Sequence, residues 1–127
     1  MQVLVDTSVL IDALRLRRQR RELLYELVQN GHSLVTTAIN VAEIYAGMRP
    51  WEEQRTNNLL DLLLCYELTK TTARLAGTLK SEWANEGRTL ALADAIIAAM
   101  ALERDCALMT DNRKDFPMPQ LNLFPLP

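Results

Sequence analysis

The chain begins with an uninterrupted apolar run, Val3-Leu4-Val5, that stops at the carboxylate of Asp6 and is followed by two hydroxyls, Thr7 and Ser8. A short run that is apolar at every position reads as a strand buried on both faces, as in parallel sheets. Asp6 then stands at the carboxyl end of that strand, beside the crevice where open α/β sheets bind ligands. Apolar spacing resumes over Val9–Leu14 as a helix, with Thr7, Ser8 or Asp6 itself available as its cap. A second helical segment carries Leu23, Leu24, Leu27 and Val28 and stops at Asn30-Gly31. Ser33–Thr36 is a second strand, so the first third of the chain reads as a βαβ unit.

The pattern continues in the same alternation. Thr37 caps a helix over Ile39–Met48, whose apolar face is Val41, Ile44, Tyr45 and Met48, with Glu43 among them. Arg49-Pro50 ends it, and Trp51–Leu64 reads as a further helix buried through Leu59, Leu60, Leu63 and Leu64. Cys65–Leu68 is a short third strand. Thr69 or Thr71 caps a long helix to Glu86, with Leu75, Leu79 and Trp83 on one face and Gly87 as its stop. Arg88–Leu92 is a loop into the most apolar helix, Ala93–Leu102, where Asp94 is the only polar residue. Cys106–Thr110 is a fourth strand, Pro117 and Pro119 break the chain, and Leu121–Phe124 reads as a last strand.

Strands alternating with helices predict an α/β domain, and 127 residues suit one such domain over residues 1–127. At 49% hydrophobic and 24% charged, the composition is that of a globular protein. A net charge of −2 argues against a strongly basic nucleic-acid binder, although five arginines between Arg15 and Arg21 make a local basic run. That run reads as a solvated loop and first helical turn, or as a patch for phosphate or a partner. Cys65 and Cys106 form no CxxC pair and read as buried thiols of a reducing compartment. No signal peptide or membrane span is visible, which predicts a cytoplasmic protein.

The acids stand in awkward places. Asp6 ends a buried strand, Glu43 lies in a largely apolar helix, Asp94 opens the most apolar helix, and Asp111, Asn112 and Asp115 follow the fourth strand. Each has a purely structural reading: a cap, an exposed helix face, a favourable first turn, a turn residue. Buried separately, each charge costs several kcal/mol or is neutralised. Gathered together, they can share a divalent cation, and oxygen-only ligands favour Mg²⁺ or Mn²⁺. Such ions polarise a phosphate and stabilise a leaving oxygen. Competing chemistry is missing: His32 is the only histidine and reads as a surface residue, no Cys/His set supports zinc, and there is no phosphate-binding glycine loop.

Four segments, in this order and spacing, resemble the PIN-domain ribonucleases, and within them the VapC-type toxins of toxin–antitoxin pairs. They are Val5-Asp6-Thr7-Ser8-Val9-Leu10-Ile11-Asp12, Val41-Ala42-Glu43-Ile44-Tyr45-Ala46-Gly47, Leu92-Ala93-Asp94-Ala95-Ile96-Ile97-Ala98-Ala99, and Thr110-Asp111-Asn112-Arg113-Lys114-Asp115-Phe116. The resemblance implies a three-layer α/β/α sandwich on a mainly parallel sheet. It implies a metal-dependent endoribonuclease with Asp6, Glu43 and Asp94 as metal ligands and a fourth acid from the last motif, Asp115 ahead of the adjacent Asp111. Thr7, Ser8, Thr110 and Asn112 become supporting groups. It also implies a homodimer and an antitoxin that blocks the site. Arg15, Arg17, Arg18, Arg49, Trp51 and Arg88 are the candidate RNA or antitoxin contacts, with Trp51 and Trp83 read as partly buried packing residues. The rival readings are a DNA-cleaving nuclease on this scaffold, a phospho-accepting signalling domain, and an inactive PIN-like interaction module. The signalling domain calls for an adjacent acidic pair after the first strand, where this chain has Thr7-Ser8.

Overall fold

The computed structural model describes residues 1–127. Its four strands are β1 (Gln2–Val5), β2 (Ser33–Thr37), β3 (Leu64–Tyr66) and β4 (Ala107–Met109). All pair in parallel, in the order β3-β2-β1-β4, with Val3 opposite Leu34 and Ala107. Helices α1 (Thr7–Leu14), α2 (Arg20–Gln29), α3 (Ala38–Gly47), α4 (Glu53–Leu60), α5 (Lys70–Asn85) and α6 (Leu92–Glu103) connect them. No helix is long and apolar enough to cross a membrane.

The period-two geometry of the strands divides the core in two. Leu4 of β1, Val35 of β2 and Leu108 of β4 face one layer, where they meet Ala76 and Leu79 of α5 and Ala95, Ile97, Ala98 and Ala99 of α6. Val3, Val5, Leu34 and Met109 point the opposite way, onto Val9, Leu10 and Ala13 of α1, Leu24 and Leu27 of α2, and Ile44 of α3. A sheet covered on both faces needs strands apolar at every position, which is why β1 carries no alternation. The outcome is the α/β/α sandwich. The alanines of α6 let its backbone lie close to α5 and the sheet.

Several expectations are corrected. The helix expected over Trp51–Leu64 is shorter: Pro50–Glu52 forms a single 3₁₀ turn, and α4 stops at Leu60. Glu52 folds back on this turn to accept the Arg49 backbone N–H at 2.9 Å, which leaves Trp51 on the outside, 73% exposed rather than packed. Leu63 is buried in the turn beyond α4, while Leu64 is exposed on the edge strand β3. The last strand, Leu121–Phe124, shrinks to one parallel bridge, Leu123 with Leu108. Prolines at 117, 119, 125 and 127 lack the N–H a longer ladder needs. Cys65 is exposed on β3 and only Cys106 is buried. Trp83 is partly buried against the α5–α6 core, as expected.

If the close approach of α6 depends on its small residues, Ala98→Leu should cost about 1–3 kcal/mol by overpacking. A urea melt would show a lower midpoint with an unchanged slope; an unchanged midpoint would contradict this packing.

Candidate metal centre

The strand order places the site. The chain runs outward from β1 to β2 and β3, then crosses to put β4 on the other side of β1. The connections leaving β1 and β4 therefore part company, which opens a crevice at their carboxyl ends. Asp6 is the residue after β1, and Thr110 is the residue after β4. The two are joined: the Thr110 hydroxyl donates to Asp6 Oδ2 at 2.7 Å.

Asp6 occupies the cap position of α1, yet its carboxylate makes no capping hydrogen bond to that helix's N-terminal turn. It is 5% exposed, and Asn40 of α3 reaches Oδ1 at 3.5 Å. Asn40 is itself fully buried; its amide donates to the Thr7 hydroxyl at 3.0 Å, and its Oδ1 accepts the Thr37 hydroxyl at 2.7 Å. Thr7 in turn donates to Glu43 Oε1 at 2.7 Å. Asn40 and Glu43 stand three residues apart on α3, so both belong to one helix face. Glu43 is exposed on that face but tied into the network. The Asn112 backbone N–H completes the frame by donating to Thr110 Oγ1 at 3.0 Å.

Burial raises the pKa of Asp6, with the Thr110 and Thr7 donors opposing it and the charges of Glu43 and Asp115 adding to it. Asp94, in the first turn of α6, is pushed up to about 6 by burial, then by Asp6, Asp115 and Glu43. Asp6, Glu43, Asp94 and Asp115 thus share one electrostatic neighbourhood. The chain's ion pairs go to other acids: Arg15 to Glu52, Arg18 to Asp12 and Asp111, and Arg20 to Asp111. Asp6 and Glu43 hold only neutral donors and none of the four acids is ion-paired, so negative charge collects where no side-chain cation answers it.

No group of three or more His, Cys, Asp or Glu side chains stands close enough to form a ready cage for a metal. The donor chemistry nonetheless fits a hard cation. Mg²⁺ keeps much of its water and is typically held by one or two carboxylates, a demand that Asp6 and Asp94 can meet.

Several expected contacts lie elsewhere. Arg15 is withdrawn from solvent: Nε reaches Glu52 at 3.2 Å and Nη2 reaches the Gly47 carbonyl at 3.3 Å. Its hydrogen bonds, with the Arg49 N–H second, hold the Glu52 carboxyl at about 2. Arg20, expected in a solvated run, is 3% exposed and paired with Asp111 at 2.8 Å. Asp111 is thereby committed to arginines. Ser8 Oγ is buried without a hydrogen-bond partner. Asn112 is exposed, and its role in the frame is through its backbone. Arg17, Arg49 and Trp51 are exposed, and Arg88 is exposed with a hydrogen bond to the Lys114 carbonyl. His32 packs edge-on against Phe124. Sequence reasoning missed Asn40 altogether; its one signal is the Thr37-x-x-Asn40 spacing at the start of α3, which reads as capping alone.

Asp94 ionises less readily in the fold than in the open chain, so the folded state binds the extra proton between about pH 4 and about 6. Stability of the metal-free protein therefore falls as pH rises through that window. In chelator at pH 7.5, Asp94→Asn should melt higher than the parent, and the gap should close as pH drops toward 4. A variant that melts lower at every pH would show that the carboxylate is not under repulsion.

A PIN domain family model matches residues 3–117. Ribonuclease VapC19 of Mycobacterium tuberculosis is 30% identical over 115 residues, covering 91% of this chain and 92% of that protein. Among solved structures, VapBC2 from Rickettsia felis bound to a DNA fragment from its promoter superposes with a TM-score of 0.87 at 21% identity, covering 98% of both chains. A toxin–antitoxin complex from Klebsiella pneumoniae gives 0.80 at 28% identity, with the same coverage of both chains. The match spans all four strands and the whole acidic rim, and the chain belongs to the PIN-domain family, within its VapC type.

Proposed function

We propose that the chain is a divalent-cation-dependent endoribonuclease and the toxin of a toxin–antitoxin pair. The observation that carries this reading is the sorting of charge: burial and the neighbouring acids raise the pKa of Asp6 and of Asp94, while every arginine ion pair goes elsewhere. Asp6 and Asp94 would hold Mg²⁺ or Mn²⁺, with Glu43 and Asp115 completing the set. When bound, the cation supplies a Lewis acid for the phosphodiester and lowers the pKa of water.

The chain's own groups do the rest. Thr110 orients the Asp6 carboxylate by donating to Oδ2, with the Asn40 amide at Oδ1. Thr7 steadies Glu43 by donating to Oε1, which leaves Oε2 to orient a water or take its proton. Arg17, Arg49, Arg88 and the exposed face of Trp51 offer phosphate contacts and a surface on which a base can stack. The solved neighbours are toxin–antitoxin complexes, which supports an antitoxin as partner. A homodimer and a cytoplasmic place of action go with the same reading.

Asp6→Asn and Asp94→Ala should each lose at least about 10²-fold in cleavage of single-stranded RNA, the scale of one lost transition-state contact. Melting in chelator should show both still folded. Single-stranded DNA run in parallel separates the substrates: cleavage of DNA alone would overturn the ribonuclease reading, and full activity of either variant would overturn the ligand assignment.

A further inference from the structure

The turn between α1 and α2 is strained, and it delivers a buried cation to the loop that carries Asp115. Leu16, Arg18 and Gln19 have φ of 54°, 54° and 55°, a left-handed region that side chains disfavour. No glycine relieves any of these positions. What the turn achieves is the placement of two guanidinium groups on one carboxylate oxygen. Arg20, the first residue of α2, meets Asp111 Oδ1 at 2.8 Å, and Arg18 meets it at 3.2 Å. Arg20 Nε and Asp111 Oδ2 are both buried without a partner, so the pair stops short of the two-bond fork that guanidinium and carboxylate form when geometry is free.

A buried ion pair of this kind is poor evidence for stability, because its desolvation offsets its attraction. Its position suggests another use. The loop after β4 is anchored at Thr110 through Asp6 and at Phe116, which is buried in the core. Between those anchors the turn closes with Asp115 N–H on the Asn112 carbonyl at 2.9 Å. Asp111 is the only side chain of Asp111–Asp115 that is ion-paired. We propose that the Arg20–Asp111 pair, seated by the strained turn, is a clamp that positions Asp115 toward Asp6 and Asp94. Arg20 and Asp111 are then positioning residues that act through Asp115. The proposal rests on the nuclease reading for its consequence, but not for its geometry.

The test has two arms. Asp111→Asn keeps the shape and removes the charge; Arg20→Lys keeps a charge and loses the planar fork, and stands in should the first variant fold poorly. In hydrogen exchange, the Asp115 and Phe116 amides should exchange about tenfold faster or more in the variant, while Leu4 and Val35 in the sheet stay unchanged. In RNA cleavage, kcat should fall about 10- to 100-fold with KM unchanged. Added to Asp115→Asn, the same change should cost no more than about twofold, because its target is already gone. Unchanged loop amides, exchange that rises equally everywhere, or activity losses that multiply would each overturn the clamp. A parent protein inert on RNA would sink the nuclease reading instead, and the exchange arm would still decide the clamp.

Discussion

Burial of carboxylates that face one another at one rim of the sheet is the constraint on which the rest of the structure depends. Asp6 and Asp94 both sit where water is partly excluded and where the other acids raise the free energy of the ionised form. A fold that placed these groups for stability alone would set an arginine among them. This one directs its ion-paired arginines to Glu52, Asp12 and Asp111 instead. The neutral frame of Thr37, Asn40, Thr7 and Thr110 satisfies hydrogen bonds without supplying charge.

The parallel sheet makes this possible with little local strain at the acids themselves. Strand ends and helix starts converge at the switch between β1 and β4, so residues from position 6 to position 115 arrive at one place by topology. The strained backbone lies apart, at Leu16, Arg18 and Gln19 and at Asp105. Each such residue costs roughly 1–2 kcal/mol. The turn before α2 bears that cost three times over, next to a buried guanidinium, which sets it apart from an ordinary connection.

Much of this was legible in the residues. The unbroken apolar run of β1, the alanine-rich α6 and the Thr caps of α3 and α5 follow from periodicity and capping. Asp6, Glu43 and Asp94 stood out because each broke an apolar pattern. Other features were not legible, for physical reasons. Asn40 drew no notice because its bonds to Asp6 and Thr7 are tertiary. Arg15 and Arg20 looked solvated because pairing with Glu52 and Asp111 spans 37 and 91 residues. Trp51 looked like a packing residue because the 3₁₀ turn that exposes it depends on Glu52 folding back to Arg49. Periodicity reports faces of elements; it does not report which distant partner meets a polar group.

The central claim is that the acidic rim exists to hold a cation, and anomalous diffraction from crystals soaked in Mn²⁺ tests it most directly. The account predicts a peak at the carboxyl end of β1, within ligand distance of the Asp6 and Asp94 carboxylates, that is lost in Asp6→Asn. Crystals that bind Mn²⁺ only at other surface acids, or that keep the peak without the Asp6 charge, would contradict it.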